Sequence, residues 1–143
     1  GRVDKIEGQI QKEERSLAIS QVNIEGLSVE LSVCKVTDYS QVNIDLEFCF
    51  TGKTDEEKSL VCLTDAVPAN VTDRADGWKA MRISGQLDFS LIGILSGISS
   101  ELAKHAIGIF AISTFNTDYI LVKSSDFEKA LDVLERKGYS VEK

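Results

Sequence analysis

Gly93, followed by Ile94 and Leu95, stands where an apolar helical stripe begins, and this placement offers the clearest chemistry in the 143-residue sequence. A helix N-terminus presents unpaired backbone N–H groups and partial positive charge. Both suit a carboxylate, and a glycine there lets a ligand come close to the backbone. Gly93 could equally be small only to pack against a neighbouring strand or subunit. Asp88 and Ser90 precede it, and Asn116, Thr117 and Asp118 follow the next apolar segment. The simpler roles for these polar residues are structural: Asp88 or Ser90 caps the helix, and Asn116 makes a turn.

The remaining reactive side chains are poorly arranged for catalysis. Cys34, Cys49 and Cys62 are odd in number and widely spaced, which fits neither a disulfide framework nor a zinc signature. Each falls among apolar neighbours in a predicted strand, where a free thiol behaves as a small hydrophobe. Three adjacent strands could bring them together for redox or metal work, although no CxxC pattern supports that. His105 is the single histidine, expected at a helix end where its charge is mildly favoured. Without a partner close in sequence it gives a triad little support. Gly52-Lys53-Thr54 imitates the end of a phosphate loop, but Glu47 stands where that loop requires glycine, so Lys53 reads as a hairpin charge. Asp55, Glu56 and Glu57 read as a solvated turn.

Composition narrows the class. A hydrophobic content of 43% supports a real core for one compact domain or two very small ones. The net charge of −7 and the lack of a basic cluster argue against nucleic acid. Apolar runs such as residues 107–112 are strand-sized, far below the roughly 20 residues of a membrane helix. No leader pattern opens the sequence, and reduced thiols fit a cytoplasmic location.

Residues 1–26 read as an N-terminal appendage, charged and weakly patterned, with Ile6, Ile10 and Leu17 the only stripe of a short helix. Ser20-Gln21-Val22-Asn23-Ile24 recurs as Ser40-Gln41-Val42-Asn43-Ile44, one pair of matches being too few for a solenoid. Strands are predicted over residues 28–36, 46–51 and 59–63. Pro68 and the polar run 70–77 then connect to a strand at 78–84. Leu91, Ile94, Leu95, Ile98 and Leu102 fall at helical spacing. Residues 107–115 are apolar on both faces and predict a central strand. After a turn at Asn116-Thr117 comes a strand at 118–122. Ser125-Asp126-Phe127-Glu128 reads as a capping box for a helix that buries Phe127, Ala130, Leu131 and Leu134 and ends at Gly138, before a closing strand at 139–141. The second half thus has the order β-α-β-β-α-β of a ferredoxin-like α+β fold.

Two stretches, Leu87-Asp88-Phe89-Ser90-Leu91-Ile92-Gly93-Ile94-Leu95 and Ser113-Thr114-Phe115-Asn116-Thr117-Asp118-Tyr119, resemble the ACT domain family in its aspartate-kinase-like and CASTOR-like branch. The first half, with Phe50-Thr51-Gly52-Lys53-Thr54, Ser59-Leu60-Val61-Cys62 and Val67-Pro68, is similar to the reduced ACT-like unit of small bacterial members, which lacks its first helix. The resemblance implies an appendage at 1–26, a reduced unit at 27–77 and a complete ACT domain at 78–143. The family places Gly or Asn where the first helix turns left-handed; this chain has Ala106, at a cost of about 1 kcal/mol if that turn is kept.

What the resemblance implies about function is a non-enzymatic regulatory protein that binds a small molecule, an amino acid foremost, at a paired, homodimeric interface and needs no cofactor or metal. The ligand-binding residues it implies are Leu87, Asp88, Phe89, Ser90, Leu91 and Gly93 from the helix-opening loop. Ile112, Ser113, Thr114, Asn116, Thr117 and Asp118 are implied from the strand and hairpin. Two rivals stand beside it: a ligand-free structural or oligomerisation module, and a thiol-dependent enzyme.

Overall fold

A computed structural model describes residues 2–84 and 93–143. Helix α1 (Arg2–Ser20) leads into strands β1 (Asn23–Gly26), β2 (Leu31–Val36), β3 (Phe50–Lys53), β4 (Lys58–Leu63) and β5 (Val71–Ser84). Helix α2 (Ile94–Lys104), strands β6 (Phe110–Ser113) and β7 (Asp118–Lys123), helix α3 (Phe127–Lys137) and strand β8 (Ser140–Glu142) follow. From β5 onward the order is the expected βαββαβ, and the fold is α+β with a mixed sheet.

The long strand β5 organises the sheet. Its first part pairs with β2 and its last part with β1, both antiparallel, while β7 pairs with residues 78–83. Trp78 is in register with both Leu31 and Lys123, and Met81 with both Gly26 and Ile120, so β1 and β2 line one edge of β5 and β7 the other. The polar run 70–77, predicted as a connection, is strand from Val71 onward: its side chains are mostly exposed, and the ladder to β2 defines it.

The expected appendage divides in two. Residues 2–13 of α1 are exposed, whereas Val22 and Ile24 are fully buried in the main core. Strand β1 lies between β5 and β8, antiparallel to the first and parallel to the second. Gly26 is bare because α3 crosses it closely: a Cβ there would lie 3.1 Å from both Leu131 and Phe127.

One face of the sheet carries the helices. Met81, Ile83, Ile120 and Val122 meet Ile98 and Leu102 of α2 and Phe127, Ala130, Leu131 and Leu134 of α3, as the helical spacing required. The capping box before α3 does not form; a 3-10 turn at Ser124–Asp126 feeds the helix, and its N-cap Asp126 makes no side-chain cap bond. Gly138 does end α3, and Ala106 is left-handed at φ 60°. Residues 46–49, expected in a strand, are bends and coil, and β3 starts only at Phe50.

The other face is covered by the sheet itself. Phe50 on β3 and Tyr119 on β7 have ring centroids 5.3 Å apart, although β4, β2 and β5 lie between their strands. In a flat sheet four strand spacings would separate them by about 19 Å. The sheet therefore curls, enclosing Leu27, Leu31, Val61, Ala80 and Leu121 with a ring of half-buried aromatics. Strand β6, predicted to be central, pairs with β7 alone among the described strands. Phe110 and Ile112 enter the curl, while Ala111 and Ser113 are exposed.

Two outcomes test this packing. Deleting residues 1–13 should leave cooperative urea unfolding intact, whereas deletion through Ile24 should abolish it, since each buried aliphatic contributes about 1.5–3 kcal/mol and a central strand is lost as well. Replacing Ala106 by Gly should raise the unfolding free energy by up to about 1 kcal/mol, read as a higher urea midpoint at unchanged slope, because the left-handed penalty disappears.

Candidate functional site

At the end of β5 the helix-facing side chain is Ile83, whose partner across the ladder is Asp118. Asp118 in turn faces Ser113 across the β6–β7 hairpin. Alternation puts Ser113, Asp118 and the buried Ile120 on the helix side of the sheet, and puts Ile112 and Tyr119 on the curled side. The hairpin tip is tightly made: the backbone N–H and the hydroxyl of Thr114 both donate to the carbonyl of Thr117, at 2.8 and 2.9 Å. Thr114 and Asn116 are exposed, and Thr117 and Asp118 are half-buried.

The chain leaves β5 at this same end, at Ser84, and resumes as α2 at Gly93. Gly93 is the N-cap of α2 with φ 89°, a left-handed geometry natural to glycine, and the first turn closes through Gly97 N–H donating to Gly93 O at 2.8 Å. Having no side chain, Gly93 offers no cap to the N–H groups of the first turn, and among the described residues a Cβ built on it would meet nothing within 4 Å. Among the described residues nothing caps this helix start, a position whose backbone N–H groups and dipole favour an anion.

Of the residues implied by the resemblance, Ser113, Thr114, Asn116, Thr117 and Asp118 lie together on one hairpin at the sheet end from which the chain departs toward Gly93. Ile112 does not join them, because it points to the opposite face among the aromatics. Leu87, Asp88, Phe89, Ser90 and Leu91, with the capping expected of Asp88 or Ser90, lie outside the described residues. Phe115, at the hairpin tip, is fully exposed. Tyr119 was not singled out by the sequence, although alternation along β7 places it directly behind Asp118; it meets Arg82, whose Nε donates to its hydroxyl at 3.3 Å.

The thiols are poor nucleophiles. Cys34 and Cys62 are buried and Cys49 half-buried in one apolar cluster. Burial pushes all three pKa values upward. For Cys62 the value reaches about 11, through burial first and then the neighbouring Cys34 and Cys49, with Arg74 opposing. Cys34 lines a cavity of about 400 Å³ near Arg74, yet burial outweighs that positive charge as well. His105 caps the C-terminal end of α2, and Lys53 sits beside the β3–β4 turn, as expected. Among the described residues no group of three His, Cys, Asp or Glu side chains could hold a metal ion. No described helix is long and apolar enough to cross a membrane.

The βαββαβ layer belongs to a known class of domain. A family model for the ACT domain matches residues 73–136, from within β5 into α3. The human protein named cytosolic arginine sensor for mTORC1 subunit 1 is 39% identical over 61 residues, which is 42% of this chain and 18% of that protein. Its rat counterpart is 38% identical over the same shares. This chain therefore spans less than a fifth of the length of those relatives. Among solved structures, protein Atu0741 from Agobacterium tumefaciens aligns with a TM-score of 0.76 at 30% identity, over 85% of this chain and 92% of that one. Aspartate kinase from Clostridium acetobutylicum shares the fold, with a TM-score of 0.59 at 14% identity over 79% of this chain and 33% of the kinase. Through residues 73–136 the chain belongs to the ACT domain family.

Cys34 and Cys62 should resist a neutral disulfide reagent in the native protein and react at once in denaturant. At a pKa near 11 the Cys62 thiol is about one part in ten thousand thiolate at pH 7, and burial shifts Cys34 in the same direction.

Proposed function

We propose that the chain is a non-enzymatic regulatory unit that binds an amino acid between the N-terminus of α2 and the β6–β7 hairpin. The observation that carries this reading is the pairing of Ser113 with Asp118 at the sheet end from which the chain runs to Gly93. An α-carboxylate would sit against the N–H groups of the α2 first turn, where the helix dipole and the backbone donors both favour it. Asp118 would then take the α-amino group or a basic side chain by a charge-assisted bond. The similarity of residues 73–136 to ACT domains, and of part of this chain to proteins named as arginine sensors, supports an amino acid over other small molecules.

A homodimer completes the proposal. Strand β6 has a free edge among the described strands, and the fully exposed Phe115 stands beside it. An unpaired edge flanked by an exposed aromatic side chain is costly to leave in water, and a second copy would cover both. The raised thiol pKa values weigh against the thiol-enzyme reading.

A thermal-shift screen of the twenty amino acids tests the reading. At a concentration of about 100 Kd a true ligand adds about 2.7 kcal/mol, a rise of several degrees for a chain of this size. Asp118→Asn and Gly93→Ala should each weaken that ligand roughly tenfold in calorimetry, with light scattering reporting whether the dimer persists. If no amino acid raises the melting temperature of a dimeric protein, the ligand-free module is the correct reading.

A further inference from the structure

We propose that the mouth of the curled sheet is a second small-molecule site, one that takes a monocarboxylate with an apolar body. A cavity of about 380 Å³ opens there, within the size range of small-molecule pockets. Its walls come from both halves of the chain: Leu46, Glu47, Phe48 and Phe50 from the approach to β3 and β3 itself, Arg82 from β5 and Tyr119 from β7. The site lies on the face of β7 opposite Asp118 and does not rest on the amino-acid site.

Arg82 is held ready for an anion. Its guanidinium carbon is 5.8 Å from the Phe48 ring centroid and 5.5 Å from that of Tyr119, so two aromatic faces fix its plane. Nε donates to the Tyr119 hydroxyl oxygen at 3.3 Å, which leaves the hydroxyl hydrogen free to donate elsewhere. Nη1 reaches Glu25 only at 3.5 Å, and Nη2 has no acceptor among the described residues. Three guanidinium N–H groups, two on Nη2 and one on Nη1, and one phenolic O–H therefore remain to bind a carboxylate.

The rim sets the rest of the ligand. Phe48 and Phe50 offer aromatic surface, and Leu46 is 43% exposed beside them, so an apolar body has something to cover. Phe48 is left-handed at φ 58°, a conformation that costs a bulky residue about 1–2 kcal/mol. Such strain gathers at ligand-contacting segments, and here it carries the ring that covers Arg82. Exposed Glu47 on the rim and Glu25 behind Arg82 disfavour a second negative charge, which excludes phosphate and dicarboxylates.

Amide chemical-shift titration of the full chain tests the proposal, with 3-phenylpropionate, phenethylamine and inorganic phosphate as probes. Phenylpropionate should give saturable shifts at residues 46–50, 82 and 119, and the other two should not. Arg82→Gln should raise its Kd roughly tenfold, and Tyr119→Phe, which keeps the ring and its packing, roughly threefold. If Arg82→Gln fails to fold, Tyr119→Phe decides, and unchanged affinity there overturns the proposal. It is also overturned by equal binding of phenethylamine, by shifts confined to residues 113–118, or by no saturation below about 10 mM. None of these results bears on amino-acid binding at the α2 end, which responds to Gly93 and Asp118.

Discussion

Strand β5 is bonded along both edges, and its register decides what every other element can do. Because side chains alternate, Met81 and Ile83 must face the helices while Ala80 and Arg82 face the curl. A slip of one residue would drive Arg82 into the fully buried layer beneath α2 and α3 and expose Met81, so the packing specifies one register strongly. β7 inherits its alternation from β5, Asp118 opposite Ile83 and Tyr119 opposite Arg82. The hairpin on one face and the guanidinium cage on the other are thus two consequences of one ladder.

Strand β1 makes that ladder a property of the whole chain. The ACT match begins at residue 73, yet the strand between β5 and β8 comes from residues 23–26. Val22 and Ile24 are buried with Met81, Ile83 and Leu134, so the first half of the chain completes the core of the second. The hairpin of β3 and β4 then covers the remaining face, and Phe50 against Tyr119 closes the curl. Neither half has a complete core without the other: the contacts between them are apolar in the interior, and polar ones lie toward the surface, Arg82 with Glu25 at the mouth and Lys79 and Ser124 with Glu30 elsewhere.

The elements readable from sequence were those whose own periodicity reports their burial. α2 and α3 each present a stripe at helical spacing, and the β6–β7 hairpin has its turn residues between two apolar segments. β1 could not be read this way, as the repeated five-residue segment shows. Ser20-Gln21-Val22-Asn23-Ile24 ends a helix and starts a buried strand, with Ile24 fully buried, whereas Ser40-Gln41-Val42-Asn43-Ile44 forms an exposed turn with Ile44 68% exposed. Identical local preferences were decided differently by tertiary partners, β5 and β8 being present for one copy and not the other. For β6, apolarity suggested burial on two faces, but Phe110 and Ile112 are covered by the curl and Ala111 is merely small. Of the candidate site, Gly93 and residues 113–118 were legible through helix and turn chemistry. The cage of Phe48, Arg82 and Tyr119 was not, because its members meet only when the sheet bends.

The shared strand also constrains how the two proposed sites would communicate. Asp118 and Tyr119 are consecutive, so a ligand on either side chain pulls on the same peptide unit. That strand is not a loop: Ile120, Leu121 and Val122 are fully buried, and β7 is paired on both edges. A close-packed, doubly bonded segment does not deform gradually, and displacement at one face must be taken up by the other. Any coupling between the sites is therefore a single free energy felt equally by both ligands, whatever its sign. Its route would run through Tyr119 to Arg82 and from there to the strained Phe48, one of the points at which the first half of the chain touches the second. In this arrangement the left-handed Phe48 is the softest member of the path, since relaxing its backbone releases strain while every other member is held by the ladder.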